Sequence, residues 1–179
     1  MPEHPSDRLI NLFGALSLGV SDQIRGAAAS AMSAGGETAA ALVVVGHAPG
    51  LSIDQLSRGL RLSHPGTVRL VDRLVALGLV ERRPSAADRR STSLELTAAG
   101  TDQREALLAL RRNVLADLLN LVPIEDRPAL ERIAERIVGS LPQDALSALT
   151  TCRFCDERRC LDCPMDVFGT VGAPIGKQG

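Results

Sequence analysis

The sequence predicts a mainly α chain carrying one small β-hairpin. Three observations predict it. Apolar residues recur at spacings of three and four over most of the chain, which is the helical period. Ser and Thr residues suited to starting helices, and Gly and Pro residues suited to stopping them, divide those stretches into separate segments. Only residues 79–96 are instead short, β-compatible and split by a turn. At 179 residues there is room for one domain with a real core, or one domain plus a small appendage, which excludes a large multidomain enzyme. Hydrophobic content of 45% and charged content of 23% are globular values, so disorder and a membrane protein are both disfavoured. With three Phe and no Tyr or Trp, an immunoglobulin-like sandwich, an aromatic cage or a base-stacking platform lacks the flat rings it needs.

Residues 6–33 read as the first helix, with Leu9, Phe13, Leu16, Val20 and Ile24 on one face and Gly35-Gly36 closing it. Residues 10–20 raise the question of a signal peptide. Glu3 and Asp7 against Arg8 leave no positive leader, and Asn11 and two glycines interrupt the apolar run. No window reaches the ~18–20 continuous apolar residues of a membrane span. The expectation is a cytoplasmic chain with reduced thiols and no membrane partner. A second helix, 37–45, stops at Gly46 and Pro49-Gly50. Ser52-Ile-Asp-Gln55 is a capping box that opens a short helix over 53–60. Ser63 caps the next, which runs to Gly78 and tolerates Pro65 in its first turn. Two short helices a few residues apart suggest helix-turn-helix.

Residues 79–83 and 91–96 are the two strands, flanking the turn-forming 84–88. Thr97 caps a long helix, 98–121, of about 36 Å at 1.5 Å per residue. Leu107, Leu110, Val114, Leu118 and Leu121 form its stripe, Leu108, Leu115 and Leu119 widen it, and Pro123 ends it. Residues 128–140 and 143–151 read as two more helices, and the Gly-rich tail after Phe168 as frayed.

A helix-turn-helix followed at once by a hairpin is a winged helix, and charge tests that idea independently. Net charge is -1 overall, yet from Arg58 to Arg90 eight arginines (58, 61, 69, 73, 82, 83, 89, 90) face three acids (Asp72, Glu81, Asp88), a balance of +5. Such a cluster suits phosphate contact, since neutralising phosphates releases counterions; a merely solvated arginine surface is the alternative. At 100° per residue, Val68, Leu70, Val71, Leu74, Val75 and Leu77 share one arc of the second short helix, with Thr67 packed among them. Pro65, Gly66, Arg69, Asp72 and Arg73 share the other. Arg69 and Arg73, one turn apart, can follow a groove wall or reach base edges. Ser63 and His64 sit at the helix end that docks nearest the bases.

The run 62–100 resembles the MarR family of bacterial transcription regulators. Its specific element is the wing pattern Asp88-x-Arg90 followed after five residues by Leu96-Thr97 and the helix-starting Gly100. The resemblance covers about residues 6–140. It implies an obligate homodimer, formed by the first and last helices, that binds double-stranded DNA at an inverted repeat, most simply as a repressor. It also implies that Arg90 enters a minor groove while Asp88 holds the wing turn by pairing with an arginine. The DNA-contacting set is then Ser63, His64, Arg69, Arg73, Asp88, Arg89 and Arg90. Pro65-Gly66 departs from the hydroxyl-bearing residues common in the family, and the scarcity of aromatics speaks against a phenolic effector. The domain plan is 1–35, N-terminal dimerisation helix; 36–100, winged helix; 101–150, C-terminal dimerisation helices; 151–168, cysteine motif; 169–179, flexible tail.

All four cysteines fall in one motif, Cys152-x2-Cys155-x4-Cys160-x2-Cys163. Two Cys-x-x-Cys turns this close can wrap one ion, and four thiolates are the donor set of a tetrahedral structural zinc. Arg153, Arg158 and Arg159 are placed to offset the charge of such a centre. Zinc is the leading reading, and an iron–sulfur cluster, redox-switched dithiols and unligated thiols are the alternatives. If metal or thiols respond to the cell, the motif is a sensor, and a small-molecule or redox effector is a further partner. An enzyme is not expected, because no Ser/His/Asp set or phosphate-cradling Gly loop occurs and the three His stand at 4, 47 and 64.

Overall fold

The computed structural model describes residues 4–32, 35–84 and 92–171. Side-chain caps decide where its helices begin. Ser6, Ser52, Ser63, Thr97 and Asp144 each accept from a backbone N–H of the following turn, satisfying donors that the helix itself leaves open. The elements are α1 (Asp7–Ala31), α2 (Gly36–His47), α3 (Ile53–Leu60), α4 (His64–Ala76), β1 (Val80–Pro84), β2 (Thr92–Leu96), α5 (Ala98–Leu119), α6 (Arg127–Ser140) and α7 (Ala145–Thr151). Short 3-10 turns follow at Glu157–Arg159 and Asp166–Phe168.

α2 is the axis of the molecule. Residues 38–45 are all buried, as an all-round apolar helix must be. Around it pack α1, α3, α5 and β2. Leu56 of α3, Val71 and Leu74 of α4, Val80 of β1 and Leu94 of β2 complete the core. β1 and β2 pair antiparallel from Val80↔Leu96 to Pro84↔Thr92, and Leu51 adds a third short rung by bridging Leu94. The capping box at α3 is present in both directions, Gln55 N to Ser52 Oγ at 3.2 Å and Ser52 N to Gln55 Oε1 at 2.9 Å. Ser52→Ala is expected to cost about 1 kcal/mol and to lower the melting midpoint by about 2–4 °C, read by thermal denaturation.

One feature differs from the sequence expectation, and two bear on the helices expected to dimerise. α2 does not stop at Gly46 but runs to His47. Its glycine is there for a neighbour, since a Cβ at Gly46 would lie 2.3 Å from Cδ of Arg104. The apolar stripe of α1 is largely uncovered, with Leu9, Phe13 and Leu16 48–58% exposed. α6 buries no residue, and Leu121, Ile124 and Ile133 are exposed as well. An apolar surface of this extent in one chain marks an interaction face. Among the described residues no single helix is long and apolar enough to cross a membrane.

Candidate functional site

The helix-turn-helix is built by α3 and α4, with Arg61 in the left-handed conformation (φ 54°) turning the chain between them. Thr67, Leu70, Val71 and Leu74 bury one side of α4. His64, Arg69, Asp72 and Arg73 are exposed on the other. Val75 and Leu77, predicted on the apolar arc, are 37% and 53% exposed, because at 100° per residue they fall at the flanks of the buried Thr67–Leu70–Val71–Leu74 side. Ser63 is committed to the cap: its Oγ accepts from Gly66 N at 3.3 Å and its carbonyl accepts from the Thr67 hydroxyl at 3.1 Å. Of the residues predicted to contact DNA, the structure leaves His64, Arg69 and Arg73 exposed on the outer side of α4, and Ser63, also exposed, caps its start. Asp88, Arg89 and Arg90 lie outside the described residues.

The wing is joined to α4 by an ion pair that sequence reasoning missed. Arg82 of β1 donates to Asp72 Oδ1 at 2.7 Å. Arg83 pairs with Glu81 and, at 3.3 Å, with Glu95 across the hairpin, and those carboxylates raise its already high pKa. Arg58 pairs with Asp54 at 2.8 Å. Asp54 and Glu95 flank the 58–90 window in sequence but meet its arginines in space, so the local balance falls from +5 to +3. Exposed pairs of this kind add little stability. Their effect is to fix which cations point outward.

The four cysteines line one cavity of about 410 Å³, shared with His47 and Glu157. Among the described residues no three or more His, Cys, Asp or Glu side chains are drawn into a closed ion cage. The thiols instead act on one another chiefly as two pairs, Cys152 with Cys155 and Cys160 with Cys163. The neighbouring Cys152 thiol brings the Cys155 thiol down to about 6, with Arg111 contributing; Arg111 Nη2 lies 3.8 Å from Cys155 Sγ. The same pairing and burial push Cys152 up, and burial raises Cys160 to about 11. The charge offset predicted from Arg153, Arg158 and Arg159 is thus distributed differently. Arg153 keeps a share, Arg158 and Arg159 turn to Asp156, and Arg111 of α5 supplies the direct contact.

The cysteine module sits on α5, one of the predicted dimerisation helices, but equally on the winged helix. α7, which leads into Cys152, packs on α3, with Leu149 Cδ2 3.5 Å from where a Cβ of Gly59 would be. Glu157, inside the loop between the two cysteine pairs, receives Nη2 of Arg104 and lies 3.6 Å from His47 Nδ1. Arg104 is only 4% exposed and also reaches the Val43 carbonyl at 3.4 Å. Burial lowers the His47 pKa while Glu157 pulls it upward. His47 Nδ1 and Arg111 Nε are buried with no hydrogen-bond partner among the described residues, and both adjoin this cavity.

A family model described as MarR family matches residues 36–91. The chain is similar to the transcriptional repressor MprA of Escherichia coli K12, 32% identical over 89 residues; the match spans 50% of this chain and 51% of the repressor. In structure it is similar to MarR of E. coli in its apo form, with a TM-score of 0.62 at 21% identity over 76% of this chain and 98% of that one. It is also similar to a MepR variant of S. aureus bound to an oligodeoxyribonucleotide, with a TM-score of 0.54 at 19% identity over 78% of this chain and 100% of that one. The structural likenesses concern the fold; the family model concerns the stretch that holds the helix-turn-helix and β1. The chain spans about half the length of the curated repressor it matches, and its likeness to the MarR family model lies in residues 36–91.

Proposed function

We propose that the chain is a dimeric, sequence-specific DNA-binding transcriptional regulator, acting as a repressor, with a four-cysteine zinc centre in its C-terminal module. The observation that carries the DNA-binding reading is the outer face of α4. His64, Arg69 and Arg73 stand exposed on a helix whose other side is buried, beside a hairpin that an Arg82–Asp72 pair holds in place. That is the presentation a major-groove helix needs. The similarity to a transcriptional repressor and to a protein bound to an oligodeoxyribonucleotide supports the same reading. The uncovered stripe of α1, with the exposed apolar residues of α6, supports a homodimer, because a second copy would remove both from water.

The donor chemistry of the module fits zinc. Four soft thiolate donors in two pairs suit a tetrahedral site with Zn–S distances of about 2.3 Å, and Arg111 offsets part of the resulting negative charge. Cys152, Cys155, Cys160 and Cys163 would hold the ion. Bound zinc would supply cross-linking of a segment too small to build its own core.

Selection of duplexes from a random-sequence pool by the purified chain tests the first part. The expected product is an inverted repeat with half-sites about one helical turn apart, bound more weakly as salt rises. Absence of any preference over random duplex would overturn it. Metal analysis of anaerobically purified protein tests the second. One zinc per chain in colourless protein is expected, lost in Cys152→Ser; brown, iron-containing protein would replace zinc by an iron–sulfur cluster.

A further inference from the structure

We infer that Glu157 is the positioning residue through which the metal state of the cysteine module sets the DNA-binding competence of the winged helix. This rests on reading the cysteines as a metal centre. Glu157 stands in the loop between Cys155 and Cys160, so closing two cysteine pairs on one ion fixes the path of the residue. Its carboxylate is the far end of a short chain of contacts into the core. Arg104 of α5 passes over Gly46 of α2, donates to the Val43 carbonyl and ends on Glu157, with His47 beside it. The next loop residue, Arg158, ion-pairs with Glu105 of α5. Arg111, further along the same helix, contacts Cys155.

α5 therefore holds the module at three points, and it is also the helix that emerges directly from wing strand β2. At its start Thr97 Oγ1 donates to the Gly78 carbonyl at 2.6 Å and Thr97 N to the Leu79 carbonyl at 3.1 Å, the turn joining α4 to the wing. From the other side α7 packs on α3. The module thus touches the supports of α4 on two sides without touching the reading face. Coupling between two sites requires elements that both of them bias, and α5 and α3 are those elements. With the ion bound, the loop is held on Arg104 and α2 to α5 stay in register. Without it, the loop is held by the Arg104, Glu105 and Arg111 contacts of α5 alone, with no cross-link between the two cysteine pairs. The metal-loaded form is the tighter DNA binder.

The test compares zinc-loaded and chelator-treated full-length protein on the selected duplex, with Zn²⁺ alone as ligand. Binding at least about five-fold tighter for the loaded form is expected, the lower end of ordinary coupling. Glu157→Gln, which keeps shape and acceptor but not charge, should still bind one zinc and bring the two affinities within about two-fold. Glu105→Gln removes the exposed Arg158 pair without leaving a buried charge, and should shrink the ratio also; it decides the matter if Glu157→Gln does not fold. Hydrogen exchange across α2 and α3 gives a readout independent of DNA, with protection gained on zinc loading in the wild type and lost as a response in both variants. Equal or weaker DNA binding by the loaded wild type, or an undiminished ratio in a folded variant, overturns the inference. A chain that takes up no metal overturns the metal reading instead, so the two failures are distinct.

Discussion

Gly100→Ala is expected to destabilise the chain by more than about 3 kcal/mol, above the usual 1–3 kcal/mol of overpacking, and to impair DNA binding with it. Gly100 lies in the first turn of α5, where its N–H donates to the Thr97 cap at 2.9 Å. A Cβ there would stand 1.9 Å from the Leu79 carbonyl oxygen and 2.8 Å from its carbon. That obstacle is backbone, so no rotamer change removes it. The same carbonyl accepts from Thr97 N at 3.1 Å, and the Thr97 hydroxyl holds the Gly78 carbonyl at 2.6 Å. Relieving the clash means separating α5 from the turn that joins α4 to the wing, which breaks both bonds. For a chain of this size the midpoint should fall by about 6–12 °C, taking 2–4 °C per kcal/mol. Gly14→Ala is the control: it sits within α1, where an added Cβ would meet nothing within 4 Å, and should be neutral or stabilising by up to about 1 kcal/mol. A melting curve for Gly100→Ala that overlays the wild type would show that this junction yields, and would remove the reason for a glycine there.

What could be read from sequence follows the range of the interactions involved. Helix starts were legible because their causes are local: Ser52 and Gln55 cap each other three residues apart, and α3 spans 53–60 as the spacing predicts. The outward placing of Arg69 and Arg73 and the packing of Thr67 were legible for the same reason, being fixed by helical period against one buried side. Charge was only partly legible. Counting along the chain includes Arg58 and Arg83 but omits Asp54 and Glu95, which pair with them. The seat of the cysteine module was not legible at all. Arg104 reads as one polar residue among many on α5, and Glu157, its partner, is 53 residues away. The one trace is Gly46, a small residue inside an otherwise apolar helix, which reads as a stop and is in fact the space through which Arg104 passes. The apolar stripe of α1 was legible as a stripe; that α1 leaves it uncovered within one chain needed the fold.

Arg69→Ala is expected to weaken DNA binding strongly, and symmetry sets the size of the loss. Arg69 is exposed on the outer face of α4, one turn before Arg73, so its removal costs no core packing. Stability should stay within about 0.5 kcal/mol of wild type. A single arginine reading a base edge is worth about 1–3 kcal/mol. A homodimer on an inverted repeat presents that arginine twice, so the loss doubles to about 2–6 kcal/mol, or roughly 30-fold to 10⁴-fold in affinity at 1.4 kcal/mol per tenfold. Arg69→Lys separates the two ways the residue can act. If it reads a base, lysine loses the bidentate geometry, and the preference for the inverted repeat over random duplex narrows while the salt dependence is kept. If it grips a phosphate, lysine restores binding, and the alanine variant weakens all sequences alike and reduces the salt slope by about one for each phosphate no longer neutralised. An Arg69→Ala protein that binds the inverted repeat within two-fold of wild type would remove α4 from the reading role and leave the wing as the sole source of specificity.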